Sequence, residues 1–547
     1  MLATAGRVHA QAAPPPAASV VTPKDIAPRS QEAPQAALPA AVAAKPPPGS
    51  ENLRFKPSIV TVDGGLPELA AEERALTSAV SGVQISVAEF YALAAKIEAA
   101  YVRRGYPFAR VAVPPQHLAD GQPARLIIVD GFIEQVDVSA VPKRLRGHIR
   151  ALLRPLMNKH WLRFGELERH LMLAGDTPGV KIRSAIATGR QEGGVRLIIE
   201  VTSHLVGGSV SVDNNLGPAF RGREGSVQLA LNSPFGLGEQ AYVLLSGDPA
   251  VSGESLGRDA PRRVIAGGLS VPLGDQGLKA TAEATQSITQ PLGGPFATRD
   301  VFTRYAFRLT QPLIRRRQED LNVTLSFEDM VERQTAPQFA VILFEDRYRL
   351  FRAAVNYDRQ MPGALLNLGA TLTVGDGDQP GTLHLSRAAA SRHFVKAEFS
   401  GAYAHALPAG FQSQLQVRGQ VMLNGGEPTS ELFILDGPQS LSPFTSGTIT
   451  ADQGFVARAA LTRPFSLHGG RVTLTPGIYD AEGRGYFIVS TPYDVTRANA
   501  YGLTLDCAVL PPRSAQPVVM SLDWGRGHSN GPEPHATRLS AAISYAF

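Results

Sequence analysis

The chain closes on a two-residue rhythm: Leu539, Ala541, Ile543, Tyr545 and the terminal Phe547 alternate with Arg538, Ser540, Ala542, Ser544 and Ala546. A strand turns successive side chains to opposite faces, so this pattern lays an apolar row on one side and small or polar groups on the other. A strand of that kind with an aromatic last residue suits the closing strand of an outer-membrane barrel. It turns Leu539, Ile543, Tyr545 and Phe547 toward lipid.

The same rhythm recurs upstream. Val301, Thr303, Tyr305, Phe307 and Leu309 alternate with residues that include Arg304 and Arg308. Leu321 to Phe327, Leu366 to Val374, Leu415 to Val421 and Tyr501 to Val509 repeat it, each apolar row interleaved with Asn, Thr, Gln, Gly or Arg. A water-soluble β-sandwich also alternates, with its apolar face turned to a core. Runs of about 9 to 11 residues, long enough to cross a bilayer at a tilt, and an inner face rich in Arg, Gln, Asn and Thr favour the barrel.

Composition agrees once it is read for a barrel. The 44% hydrophobic content and mean hydropathy of -0.05 look soluble, because only every second residue of a membrane strand is apolar. No run approaches about 18 consecutive apolar residues, which excludes a helical membrane protein. The formal charge is +5, but the basic residues are scattered rather than gathered with aromatics, so no nucleic-acid partner is expected. The one cysteine, Cys507, falls on a lipid-facing row. Neither a disulfide framework nor a thiolate metal site follows, and no metal or cofactor is expected.

Residues 1–12 contain Ala10-Gln11-Ala12, an Ala-x-Ala-like cleavage sequence, without the apolar core of a signal peptide. They read as a truncated or atypical targeting segment. Residues 13–50 are rich in Pro and Ala and read as a flexible linker. A short helix within 24–40 is limited by Pro28, Pro34 and Pro39.

From about residue 52 to 203 the pattern becomes mixed α/β. A strand is expected over 53–62. Ser86 with Glu89 forms a capping box, and Phe90, Leu93, Ala94, Ile97 and Tyr101 mark one face of the helix that follows. Strands follow over 109–113 and 124–129. The unit then repeats: a strand over 132–138, helices around 143–154 and 164–174, and strands over 180–188 and 195–201. The reading is two β-α-α-β-β modules in tandem.

The run from Tyr101 through Gly105, Tyr106, Pro114 and Gln116, followed by Gly121 and Val129-Asp130-Gly131, resembles the first polypeptide-transport-associated (POTRA) domain of the two-partner secretion (type Vb) transporters. These are the haemolysin secretion/activation family, related to the outer-membrane barrel-assembly insertases. Pro178-Gly179-Val180, Val212-Asp213-Asn214-Asn215 and the Asn232 to Gln240 stretch resemble the same family in the same order. The resemblance implies a targeting segment and linker over 1–50, a POTRA domain over 51–131, a second over 132–203 and an antiparallel transmembrane β-barrel of about sixteen strands over 204–547. Segments 247–262 and 286–299 read as outer loops.

The resemblance also implies a long loop folded into the lumen, whose tip arginine pairs with an aspartate on the wall. The frame is present in Phe433 to Ser440 and in Gly447, Ala451 to Gly454 and Leu461 to Phe465, but the tip reads Leu441-Ser442-Pro443-Phe444 and has no arginine. Tyr479-Asp480-Ala481-Glu482-Gly483 resembles the acceptor motif. Asp480 is then expected to be served by water, by Arg458 or by Arg484, or the tip is expected to dock through Phe444 and backbone groups. The alternative is that Asp480 merely lines a polar channel. In the first POTRA motif, Gly105, Tyr106 and Pro114 read as shaping turns and packing, the alternative being β-augmentation, in which an extended client adds its backbone to an exposed strand edge; client contact is expected at the second module's helix and strand edge.

The function implied is export of an unfolded secreted partner: periplasmic capture by the POTRA domains, passage through the barrel, and release at the surface of a Gram-negative cell. Periplasmic chaperones, the barrel-assembly machinery and outer-membrane lipid are the further partners. An insertase for other barrels and a passive or ligand-gated porin are the alternatives. Gly527-His528-Ser529-Asn530-Gly531 fits Gly-x-Ser-x-Gly. A nucleophile elbow needs a following helix, whereas Pro532 and Pro534 lead here into a strand. No enzymatic activity is expected.

Overall fold

The computed structural model describes residues 16–24, 26–28, 35–36, 46–249, 257, 260–294, 296–377, 387, 390–488, 495–512 and 516–547. Among these, sixteen antiparallel strands close into a barrel. They are β1 Val206–Asp213, β2 Glu224–Asn232, β3 Gln240–Gly247, β4 Arg262–Leu273, β5 Leu278–Thr289, β6 Arg299–Arg315, β7 Glu319–Ala336 and β8 Val341–Met361. The circuit continues through β9 Ala364–Gly377, β10 His393–Ala406, β11 Gln412–Asn424, β12 Gln453–Thr462 with its continuation Phe465–Leu467, β13 Val472–Tyr486, β14 Val495–Val509, β15 Val518–Ser529 and β16 His535–Ala546. The break in β12 falls at Arg463-Pro464, where proline has no N–H to give the ladder. β5 runs on to Thr289, so the loop expected over 286–299 is shorter than anticipated.

The expected two faces are present. On β6, Tyr305 and Phe307 are 58% and 47% exposed, whereas Phe302 and Arg304 are 4% and 6% exposed. Arg304 and Arg308, the two inward arginines, reach Glu283 of β5 at 3.1 and 3.0 Å. The outer apolar row needs no protein cover because lipid supplies it.

Closure depends on a short seam. β16 pairs with β1 from Asp213 opposite Ala542 to Ser209 opposite Ala546, and Phe547 exchanges backbone bonds with Gly208 at 2.9 and 3.0 Å. Beyond Asp213 a side chain carries the pairing further. Asn214 Nδ2 donates to Leu539 O at 2.9 Å, and its Oδ1 accepts from Ala541 N at 2.8 Å. Leu539, Ile543 and Phe547 are exposed on the outer face, and Tyr545 stacks on Phe547.

Two α/β units precede the barrel. The first holds strands Arg54–Phe55 and Val60–Asp63, helices Ala70–Ser78 and Val87–Arg103, and strands Arg110–Ala112 and Ala124–Val129. The strand expected over 53–62 is interrupted around Pro57. Ser86 and Glu89 form both halves of the capping box, and Phe90, Leu93, Ala94, Ile97 and Tyr101 enter the core. Burial and the Glu73 carboxylate push the Tyr101 hydroxyl well above its ordinary range. The second unit holds strand Phe132–Asp137, helices Arg146–Leu153 and Phe164–Gly175, and strands Val180–Thr188 and Gly194–Ser203, over its own core.

The first-unit motif lies at the joint between the units. Gly105 has φ +93° and accepts Phe164 N at 2.7 Å. Tyr106 bonds Glu68 at 2.6 Å, accepts Arg163 at 3.2 Å and packs on Trp161. Gln116 donates to and accepts from the Arg125 backbone at 2.7 and 2.8 Å. A Cβ on Gly131 would sit 2.2 Å from Phe108 O, so no other residue fits there without a backbone shift. Pro114 follows strand Arg110–Ala112.

The linker expectation requires correction. Residues 16–24 and 26–28 lie against the inner wall of the barrel. Ala18 is fully buried among Phe302, Met330, Tyr348, Leu350 and Phe394, and its N–H donates to Asp300 at 2.9 Å. Ser19 gives its N–H and hydroxyl to Glu332 at 2.8 and 2.7 Å. Arg262 donates to Val21 O, and Gln228 to Ile26 O, both at 2.6 Å. A segment too poor in apolar residues to build a core can still be ordered by a wall that is already built. Residues 35–36 form a strand, not a helix, and pair in parallel with Arg183 and Ser184. The targeting segment 1–12 lies outside the described residues.

Candidate functional site

Residues 425–452, between β11 and β12, fold back into the lumen from the end of the barrel opposite the α/β units. A two-residue hairpin, Phe433–Ile434 against Thr450–Ala451, closes the stem. Asp436 ties it by accepting Gly447 N at 2.6 Å and also Ile449 N. Burial pushes the Asp436 carboxyl up to about 7, against backbone N–H groups that favour its ionised form.

The start of the loop is held by charge. Glu431 meets Lys396 at 2.9 Å and Arg352 at 2.7 Å, and Glu427 lies 3.5 Å from Lys396. Lys24 of the N-terminal segment reaches Glu398 beside them at 3.9 Å. Val20 and Pro16 lie against Gly447, so the segment and the loop touch.

The tip is held differently. Leu435, Leu441, Phe444 and Ile449 of the loop pack with Val456, Tyr479, Ala481, Ala498, Ala500 and Ala536 of the wall in one buried apolar cluster. Small wall residues make room for it. A Cβ on Gly527 would come 2.5 Å from the Phe444 ring, one on Gly525 would come 2.8 Å from Pro443, and one on Gly483 would come 3.1 Å from Leu435 and Leu441.

Within that apolar seat sits one polar knot. Ser442 Oγ lies 2.8 Å from both the Tyr479 hydroxyl and Asp523 Oδ1, and accepts from Arg458 Nη1 at 3.0 Å. Arg458 Nη2 bonds Asp523 Oδ2 at 2.6 Å, and its guanidinium lies 3.6 Å above the Tyr479 ring. Tyr479 in turn donates to Asp523 at 3.0 Å. The cation that the loop lacks stands on β12, and its acid stands on β15.

Asp480 is not part of this knot. Tyr479, Ala481 and Gly483 point inward, while Asp480 is exposed on the outer face with Ile478, opposite Tyr501. The two-residue period alone forbids Tyr479 and Asp480 from sharing a face. Arg484 reaches Glu482 at 3.4 Å instead. The Asp523 acceptor was readable as the inward acid of β15 in the run Ser521-Leu522-Asp523-Trp524-Gly525. Its pairing with β12 across two intervening strands was not. Ser529 lies where β15 turns into β16 and bonds Glu533 O at 2.8 Å, so no helix follows it.

Beside the loop stem the lumen keeps a polar cavity of about 1030 Å³, lined by residues that include Asn356, Asn367, Arg418, Asp436, Gln439 and Arg458. The wall here is polar, and the lumen is filled in part from within by the chain itself.

The family model described as haemolysin secretion/activation protein ShlB/FhaC/HecB matches residues 193–480, more than half of the chain. The chain belongs to this haemolysin secretion/activation family. It is an outer-membrane transporter of two-partner secretion, a class that works with a secreted exoprotein partner in Gram-negative bacteria. A POTRA domain of the ShlB type matches residues 58–131 of this transporter. Its fold is similar to that of CdiB from Escherichia coli, with a TM-score of 0.68 at 18% identity over 93% of this chain and 92% of that one. CdiB from Acinetobacter baumannii is similar with a TM-score of 0.60 at 15% identity, over 94% and 95% of the two chains. No curated protein sequence matches the transporter.

Proposed function

We propose that this transporter receives its unfolded exoprotein in the periplasm through two POTRA domains, the second being the unit over 132–203, and passes it through the lumen to the cell surface. The observation that carries the reading is that the lumen holds two pieces of the same chain, residues 16–24 with 26–28 and the 425–452 loop, each on its own set of apolar and polar contacts with the wall. A displaceable filling suits a conduit for an extended polypeptide.

Capture is by β-augmentation, in which the client adds its backbone to a sheet edge. Supporting this is the edge strand Val180–Thr188, where residues 35–36 pair in parallel with Arg183 and Ser184. Chaperones keep the client unfolded before capture, and the barrel-assembly machinery inserts the barrel itself. Folding of the client outside the cell provides the direction of movement.

The test is to delete the transporter and follow the large secreted protein encoded beside it. Loss of that protein from the surface with other barrels intact supports export. Persistent surface display with failed assembly of other barrels would make the protein an insertase.

A further inference from the structure

The periplasmic unit carries a face that neither export nor loop docking uses. Between residues 143 and 154 the chain has five basic residues, Lys143, Arg144, Arg146, Arg150 and Arg154, and no acidic one. The helical run buries Leu145, Ile149, Leu152 and Leu153 in the core of the second unit. Arg146 is occupied by Val141 O and Ser139 O. Lys143, Arg150 and Arg154, at helical spacing with Gly147 between them, form an exposed stripe with no ion pair among the described residues.

Beside that stripe the helix clasps the turn between β2 and β3. Arg144 Nη1 donates to Ser233 O at 2.6 Å and Asn232 O at 3.2 Å. Gly236 lies on the Arg144 carbonyl and Gly238 on the His148 ring, each too close for a Cβ. Glu239 accepts the N–H groups of Phe235 and Leu237, which shapes the turn. Phe235 is then 83% exposed and Leu237 63% exposed, in the turn that Arg144 and His148 hold. The turn joins β2 and β3, whose outer faces expose Leu229, Leu231 and Val243.

We propose that this face docks on the inner leaflet of the outer membrane. Phe235 and Leu237 enter the boundary between headgroups and acyl chains, and Lys143, Arg150 and Arg154 meet anionic phospholipid headgroups. An apolar pair beside unopposed cations is how an interfacial surface binds an anionic membrane. Continuity with the lipid-facing wall favours lipid over an acidic stretch of client, which would approach the mouth of the lumen. The inference rests on the reading that the α/β units lie in the periplasm.

The experiment uses the full chain with Cys507→Ser and Gly147→Cys, since a Cβ at Gly147 meets nothing within 4 Å. A fluorophore at 147 is read in nanodiscs of phosphatidylcholine, alone or mixed with phosphatidylglycerol, using quenchers attached to the lipid headgroups. Quenching is expected to rise with phosphatidylglycerol and to fall back at high salt. The rise is lost in K143E/R150E/R154E, and the quenching in F235S/L237S is lost in both lipids. Equal quenching in the two lipid mixtures overturns the proposal, and that comparison needs no change to the charges or to the apolar pair. Protection of the label by an acidic client peptide, without any lipid effect, also overturns it and makes the face a client surface. Secretion is scored separately: normal lipid-dependent quenching without export counts against the proposed function alone.

Discussion

Arg458 and Asp523 are bonded at 2.6 Å across the two strands that separate them, and the loop tip enters the pair through a serine hydroxyl rather than a charge of its own. The arrangement keeps both ions on the wall. When the tip alone leaves, neither of these two ions loses its partner, so undocking of the tip exposes a serine and an apolar surface, while the ion pairs of Glu427 and Glu431 at the start of the loop stay in place. Docking of the tip then depends mainly on the fit of Leu441 and Phe444 against small wall residues.

Removing one ion alone is the harsher change. Arg458→Ala leaves the partly buried Asp523 without its cation but with the Ser442 and Tyr479 hydroxyls, a loss of about 1 to 3 kcal/mol. Bilayer conductance is expected to rise as the loop disengages. Asp480→Ala is expected to leave conductance and secretion unchanged, because its side chain is on the outer face.

Returning an arginine to the tip does not repair a deficit. Ser442→Arg brings a second cation within reach of Arg458 and is expected to destabilise docking. The exchange Ser442→Arg with Arg458→Ser moves the charge from wall to loop and is expected to restore it. Disulfide trapping of the loop against β15 distinguishes the two.

The glycine seat gives a cleaner separation of loop from barrel. Gly527→Val places methyl groups where the Phe444 ring lies, and overpacking of this kind costs about 1 to 3 kcal/mol. The loop is expected to be displaced while the barrel retains its heat-modifiable mobility on electrophoresis.

The seam depends on Asn214 in a way its neighbours do not share. Asn214→Ala removes the donor to Leu539 O and the acceptor of Ala541 N. A loss of about 1 to 3 kcal/mol is expected, read as a lower temperature for the electrophoretic transition, with Asn215→Ala as the milder control.

Acid is expected to loosen the joint between the second unit and the barrel. Burial holds His148 below its ordinary 6.5, so the packed state favours the neutral ring. The stability this contributes is present above pH 6.5 and is lost as pH falls through 6.5 toward the lower folded value. Amide protection over residues 232–240, taken relative to the intrinsic exchange rate at each pH, should fall on acidification, and His148→Gln should remove that response.

The barrel strands were legible in the chain because alternation is a local property: Tyr305 and Phe307 must share one face and Arg304 and Arg308 the other, and the length and polar inner face of such runs set a barrel apart from a sandwich. The capping box at Ser86 was equally legible, since both of its halves lie within four residues. Local pattern also held the answer for Asp480, whose face follows from that of Ile478, but a resembling motif obscured it. That Arg458 meets Asp523 came from the folded barrel alone, because sequence does not say which inward residues of distant strands come level once the strands tilt and stagger into a cylinder. The fold likewise put residues 16–24 and 26–28 inside the barrel: a short segment carries no core of its own, and these residues are ordered by the wall and the 425–452 loop they lie against.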